Sequence, residues 1–104
     1  VGSFFKNPIV GIDSINFTSH SKEELIIWNY DQDHVKVGAA RLIELIKNKI
    51  STHKNVSLFE NHSLVLITNG QATQDDVLNY ASEIQDLVYK TFNIKLEIEP
   101  NIIF

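Results

Sequence analysis

Residues 73–99 read TQDDVLNYASEIQDLVYKTFNIKLEIE, and a change of period inside this stretch decides the fold. Val77, Ala81, Ile84, Val88 and Phe92 recur at three- and four-residue steps, which is one stripe of a helix, and Tyr80 and Leu87 widen it. The spacing predicts a helix from Gln74 to about Phe92. Thr73 is a good N-cap, and Asp76 stands three residues on, in the capping-box position where Glu or Gln is the better partner. Asp75 and Asp76 also suit the positive end of the helix dipole. Asn93 fits a left-handed C-cap. The period then drops to two: Ile94, Leu96 and Ile98 alternate with Lys95, Glu97 and Glu99, the mark of a strand with one buried face.

Working back from that stretch, Asn69-Gly70 is a turn signal that ends a continuous apolar run, Leu64-Val65-Leu66-Ile67, read as a buried strand. Val56 to Phe59 is strand-like. A second helix is predicted from about Ala39 to Ile50, because Ala39, Leu42, Ile43, Ile46 and Ile50 share one face while Arg41, Glu44, Lys47 and Lys49 mostly take the other. Ser51 to Asn55 is a polar connection. Asp31-Gln32-Asp33 reads as a turn into a short strand, His34 to Val37, and Glu24 to Tyr30 reads as extended. Ile9 to Ser21 has no clear period; Gly11, Asp13 and Ser14 allow a short helix to start there, with Ile15 and Phe17 on its apolar face. Phe4-Phe5 is β-prone and stops at Asn7-Pro8. With no repeat and no linker, the pattern is a single α+β domain over 1–104, a small sheet covered on one side by two main helices.

Composition narrows the function. The chain has 104 residues, 43% hydrophobic and 21% charged, with no Cys and no Met. That excludes disorder, collagen-like repeats and a disulfide scaffold, and the length leaves no room for two full domains. The net charge is −4 and Arg41 is the single arginine, so a nucleic-acid partner is disfavoured. Lys47, Lys49 and Lys54 read as a solvated helix end. No apolar run approaches the ~18 residues that a membrane span needs, and Val1 to Pro8 carries Lys6 and Asn7 where a signal peptide would be apolar. Zero Cys fits a reducing compartment. A chain that starts at Val1 without any methionine is expected to be a piece of something longer.

Read residue by residue, the chemistry is sparse. The histidines at 20, 34, 53 and 62 have no i, i+4 pair and no Cys, so no metal site is expected. The glycines are too scattered for a phosphate-cradling loop. Glu97 and Glu99 share one strand face, ordinarily a solvated one, but Glu99 sits at the strand end just before Pro100, where a carboxylate can face a cleft. Ser3 alone is unremarkable, with no His close in sequence.

Together the segments say more. Gly2-Ser3-Phe4-Phe5-Lys6-Asn7-Pro8 resembles the Gly-Ser-(Phe/Tyr)-Phe-Lys-Asn-Pro signature of the UDP-N-acetylenolpyruvoylglucosamine reductase (MurB) family. Leu96-Glu97-Ile98-Glu99 is similar to that family's Leu-Glu-x-Glu close. His62 to Thr73 resembles its strand, Asn-Gly-x-Ala-Thr turn and helix start, and Lys36-Val37 with Leu42-Ile43-Glu44 matches a further stretch. The resemblance runs the length of the chain without gaps against the shorter-insert form of the family. The heptapeptide is its specific part.

The resemblance implies the C-terminal, substrate-binding domain of a cytoplasmic reductase of peptidoglycan precursor synthesis. FAD and NADPH serve the complete enzyme, and the FAD-binding region is expected to precede Val1, so this chain alone would hold no cofactor and be inactive. The implied substrate is UDP-N-acetylglucosamine enolpyruvate. Ser3 would be the general acid, and Glu99 would help stabilise the developing enol. Asn7, with Lys6 beside it, would meet the pyrophosphate, and His62 would reach the substrate. The family's catalytic arginine belongs to the flavin region, and Arg41 is not a candidate for it. Four departures stand out. Ile50 to Val56 contains no glycine where the family bends, which predicts a different local backbone. Arg41 replaces an aromatic. A family tyrosine near the phosphates falls on Trp28 unless Tyr30 takes its place. Pro100 interrupts the last strand, which should end there or lie at an edge. The missing glycines and Pro100 leave a second reading: a diverged, non-catalytic nucleotide-sugar-binding or structural module of the same fold.

Overall fold

The computed structural model describes residues 4–53, 55–59, 62–68 and 70–100, with 59 and 62–68 described by their backbone. Its main strands and helices are β1 (Ile9–Gly11), β2 (Ile27–Asn29), β3 (His34–Val37), α1 (Ala39–Ile46), β4 (Val56–Phe59), β5 (His62–Thr68) and α2 (Gln74–Phe92). The strands form two antiparallel units. One is a three-stranded sheet in the order β1-β3-β2, and the other is the β4-β5 hairpin, whose register shifts between Leu58 and Phe59.

Both ends of α2 are built by their own residues. Thr73 Oγ1 accepts from the Asp76 N–H at 3.1 Å, and the Asp76 carboxylate accepts from the Thr73 N–H at 2.9 Å. A shorter Asp thus completes the reciprocal capping box expected of Glu. At the other end Asn93 is left-handed (φ 60°), and its N–H donates to Tyr89 O at 2.8 Å. Its amide Nδ2 also donates to Ser14 O at 3.0 Å, and the Asn16 N–H donates to Phe92 O at 2.8 Å. The orphan carbonyls of the last turn are therefore satisfied partly by a segment nearly eighty residues away in sequence.

The apolar stripe of α2 (Ala81, Ile84, Val88, Phe92) is fully buried, as are Ala39, Leu42 and Ile43 of α1. Phe5, Val37 and Ile94 complete this core from the extended segments. In the three-stranded sheet, Val35 and Val37 point inward, while Lys36 points the other way between Ile9 and Trp28. Helices α1 and α2 pack on each other and on the β4-β5 hairpin, and the inward face of the three-stranded sheet joins the same core through Val35 and Val37.

Three local expectations are corrected. Helix α1 ends at Ile46 rather than Ile50; Lys47–Lys49 tightens into a 3₁₀ turn and Ile50 is already extended (φ −73°, ψ 128°). The run Lys47-Asn48-Lys49 adds no apolar contact to hold another α turn. Residues 9–21 hold strand β1 before a 3₁₀ turn, Ile12–Ser14, because Val10 pairs with Val35 and packs inward, a tertiary contact without local signal. A further 3₁₀ turn at Lys22–Glu24 precedes β2, and there the Ser21 N–H donates to the Glu24 carboxylate. Finally, Ile94 to Glu99 keeps its one-faced burial, with Ile94 and Leu96 buried and Lys95 and Glu97 exposed, yet among the described residues it pairs only at an isolated bridge, Phe5 with Ile98. Gln85 Nε2 donates to Leu96 O at 2.9 Å, so part of this backbone is satisfied by α2 instead of a neighbouring strand.

The glycine-free connection Ile50 to Val56 has no left-handed residue among those described. A carboxylate holds it. Glu83 on α2 accepts from the Ser51 N–H (2.9 Å) and hydroxyl (2.7 Å), and His53 Nε2 lies 2.7 Å from it. The His53 ring stands edge-on to Tyr80 at 4.7 Å. The hydrogen bonds from His53 and Ser51 pull the Glu83 carboxyl from 4.5 down to about 2. A depressed carboxylate stabilises the fold above its unfolded pKa, and that contribution drains away as pH falls through the folded one. The Glu83 side chain is 27% exposed, so solvent screens part of the effect. In acid titrations followed by circular dichroism, Glu83→Gln is expected to lower neutral-pH stability and to flatten the stability loss between pH 4.5 and about 2. An unchanged acid slope in the variant would count against the clamp.

Candidate functional site

The two ends of the described chain meet. The Lys6 N–H donates to Glu97 O at 2.9 Å and the Glu99 N–H donates to Phe4 O at 2.8 Å, on either side of the Phe5–Ile98 bridge. Phe5 is 1% exposed and its ring meets that of Phe4 edge-on at 5.2 Å, so this short pairing is anchored in the core. It sets Glu99 opposite Phe4, the residue after Ser3. Ser3 itself lies outside the described residues. Glu99 is half-buried, and Pro100 forms a turn, in line with its missing donor.

The same pairing sets Lys6 opposite Glu97, and their side chains form an exposed ion pair at 3.5 Å. Lys6 therefore meets any ligand anion in competition with Glu97. The two residues border a small recess of about 170 Å³ with Pro8, Ile9 and Lys95. His62 opens β5, where it pairs with Phe59; its side chain is among those not described.

Asn7 does more than a pyrophosphate contact would require. Its Oδ1 accepts from the Ala39 N–H at 2.9 Å, capping the first turn of α1 from thirty-two residues away. The N-cap position of α1 is Gly38, which has no side chain to do this. Gly38 is also needed for space: a Cβ there would lie 3.3 Å from the Ile26 Cβ, while its N–H donates to Ile26 O at 2.8 Å. Because Ala39 N–H is a donor, the Asn7 atom facing it must be the oxygen. Among the described residues the amide NH₂ has no partner, so it is the group that Asn7 can offer as a donor to a ligand.

Asn7 lines a second, larger cleft of about 360 Å³ with Trp28, Asn29, Tyr30 and Lys36. Trp28 and Tyr30, the two candidates for the family tyrosine position, both border the cleft, 47% and 56% exposed. Lys36 is the residue that sequence reasoning passed over. The Val35-Lys36-Val37 alternation signals that it points outward, but which neighbours it meets is a matter of strand order. Arg41, by contrast, is occupied structurally: its Nε donates to Glu24 O at 2.7 Å and its guanidinium pairs with Glu44. Among the described residues no three His, Cys, Asp or Glu gather as metal ligands, and no helix is long and apolar enough to cross a membrane.

Fold and clefts define a small α+β domain whose paired segments 4–6 and 97–99 and outward sheet face bring amide, ammonium and aromatic groups together. The chain belongs to the UDP-N-acetylenolpyruvoylglucosamine reductase family as its C-terminal domain; the model of that domain matches residues 1–103. Curated relatives named UDP-N-acetylenolpyruvoylglucosamine reductase include those of Flavobacterium johnsoniae (36% identical over 98% of this chain), Polynucleobacter asymbioticus (37%, 98%) and Bdellovibrio bacteriovorus (34%, 95%). The chain spans about 30% of the length of these relatives.

The two jobs of Asn7 separate by substitution. Asn7→Ala should lower stability by about 1 kcal/mol, the usual value of a lost cap. Asn7→Asp keeps the acceptor and adds charge that the α1 dipole favours, so its melting temperature should equal or exceed the wild type. Thermal melts of both variants check this, and an Asp variant as unstable as the Ala variant would mean that the cap is not what Asn7 supplies.

Proposed function

We propose that this domain binds the nucleotide sugar in the NADPH- and FAD-dependent reduction of UDP-N-acetylglucosamine enolpyruvate to UDP-N-acetylmuramate, a step of peptidoglycan precursor synthesis. Family membership over residues 1–103 is the observation that carries this reading. The site residues are Ser3 and Glu99 for the chemistry and Asn7, Lys6 and His62 for binding. The cleft around Asn7 is open and lined by two amides, two aromatic rings and a lysine. That lining suits a nucleotide anion. In this reading the flavin, the nicotinamide and the catalytic arginine belong to the rest of the relatives' length.

A flavin bound in the complete protein would supply the hydride for the enolpyruvyl carbon. This chain's residues handle the charge and the proton that follow. Addition beta to the carboxylate builds negative charge on it, and a preorganised Glu99 nearby helps to stabilise the enol form. A serine hydroxyl is a weak acid in water, but it can protonate a neighbouring carbon once that carbon carries carbanion character, and Ser3 has this role. Asn7 donates its free NH₂ to a pyrophosphate oxygen, held in aim by the Ala39 cap. Glu97 tempers Lys6, which supplies positive charge at the same edge.

The decisive experiment uses a complete protein carrying this domain, assayed for NADPH-dependent flavin oxidation by the enolpyruvyl substrate. Ser3→Ala should abolish turnover while flavin reduction by NADPH continues; a fully active Ser3→Ala protein would sink the acid role. In the 104-residue chain, UDP-sugar titration by NMR should move signals of Asn7 and Glu99. Silence at millimolar ligand, with no turnover in the complete protein, would favour a diverged module. Asn7→Asp should weaken nucleotide binding although it keeps the fold.

A further inference from the structure

We propose that Gln85 is a positioning residue for Glu99: its amide, on α2, holds the Leu96 carbonyl and so fixes where along the helix the segment leading to Glu99 lies. This rests on the nucleotide-sugar reading above, in which Glu99 helps to stabilise the developing enol, and adds to it the group that aims Glu99.

Glu99 is carried by a segment with little sheet support. Residues 94–99 belong neither to the three-stranded sheet nor to the β4-β5 hairpin, and among the described residues they pair only at the bridge of Ile98 with Phe5. In an extended chain, successive residues turn their peptide groups to opposite edges. Glu97 O and the Glu99 N–H both face the segment 4–6, at 2.9 and 2.8 Å. Leu96 O therefore faces the other edge. Among the described residues no strand stands there, and Gln85 Nε2 donates to it at 2.9 Å instead. A pairing as short as that of 4–6 with 97–99 is marginal by itself, and the Lys6–Glu97 ion pair beside it is exposed and adds little.

Burial supplies the rest of the attachment: Ile94 and Leu96 are both in the core. Apolar burial has no direction, so it keeps the segment in the core without choosing its place along α2. A hydrogen bond does choose, because it weakens steeply with distance and angle. The lengths agree with such an anchor. From Gln85 to Phe92 the helix rises about 10 Å, and Asn93 to Leu96 covers about 10 Å when extended. The left-handed turn at Asn93 thus sends the chain back along α2, and Leu96 comes level with Gln85. Gln85 is half-buried, flanked on the helix by buried Ile84 and Val88. The held carbonyl lies three residues before Glu99. A misplacement of about 1 Å in a group that meets transition-state charge can cost about a hundredfold in rate, so an anchor this near acts on the chemistry as well as on the fold.

The test uses a complete protein carrying this domain. Oxidation of its reduced flavin by the enolpyruvyl substrate is followed in single turnover, so that slow variants stay measurable. Gln85→Leu removes the donor and keeps the bulk. It should slow oxidation at saturating substrate at least about tenfold, with little change in the substrate concentration that gives half the maximal rate. In the 104-residue chain it should speed hydrogen exchange of the Glu99 and Lys6 amides. Gln85→Lys, which again offers N–H donors, should recover most of the rate, and melting curves of both variants check the fold. In a Glu99→Gln background, Gln85→Leu should cost no more than about twofold, because the group it positions is already disabled. The proposal is overturned if Gln85→Leu oxidises flavin like the wild type while Glu99→Gln is slow, a result that leaves the nucleotide-sugar reading standing. It is also overturned if the Gln85→Leu loss is equally large in both backgrounds, or if Glu99 amide exchange is unchanged. A Glu99→Gln protein as fast as the wild type would instead fail the assignment of Glu99 in that reading, and this proposal with it.

Discussion

Two backbone hydrogen bonds hold the first described residues against the last: Lys6 N–H to Glu97 O and Glu99 N–H to Phe4 O. Between them Phe5 is driven into the core beside Leu42, Ile84 and Phe92. The rest of the molecule follows from this closure. With Phe5 buried, the chain leaves the core at Lys6 and Asn7 in a set direction, which brings the Asn7 amide onto the first turn of α1. Pro8 O then accepts from the Val37 N–H at 2.9 Å and starts the pairing of β1 with β3. Core burial, helix capping and sheet assembly are therefore coupled through five consecutive residues, and a family signature lies over the same five.

That coupling explains why the signature is so specific. Phe5 serves packing, and Asn7 serves a helix cap and, in the proposed function, a ligand-facing donor. Lys6 pairs across to Glu97. One side chain with two duties tolerates few replacements: Asp could keep the cap but would turn charge toward an anion, and Ala would lose both. The second constraint is a carboxylate rather than a glycine. Where relatives are expected to bend on glycine, Glu83 gathers the Ser51 amide and hydroxyl and the His53 ring, so the connection is shaped by hydrogen bonds from outside it. The nitrogen and oxygen donors around Glu83 do the work that a left-handed backbone would otherwise do.

Much of the fold was legible in residue order. The α2 stripe, the Thr73–Asp76 capping box and the Asn93 left-handed cap are local features, and each formed where its residues indicate. The turn into β3 is legible for the same reason, because the Asp31 carboxylate accepts from the Asp33 and His34 N–H groups a few residues away. The end of α1 was not, since whether Ile50 joins a helix depends on what its next turn would touch. β1 was not either: three residues carry no period, and their strand character comes entirely from β3. The alternation at Ile94 to Glu99 correctly announced one buried face, but Gln85 and a single bridge took the place of a ladder.

For the site, the sequence by itself determined the family and the chemical types available. It could do so because motif residues keep their order and spacing whatever the surrounding fold. Only the tertiary structure decided what those groups face. The Asn7 oxygen is spent on Ala39, Lys6 is tempered by Glu97, and Lys36 stands between Ile9 and Trp28 on an open sheet. These contacts join residues up to ninety-one positions apart, and they depend on strand order and on the pairing of residues 4–6 with 97–99, which no local pattern encodes.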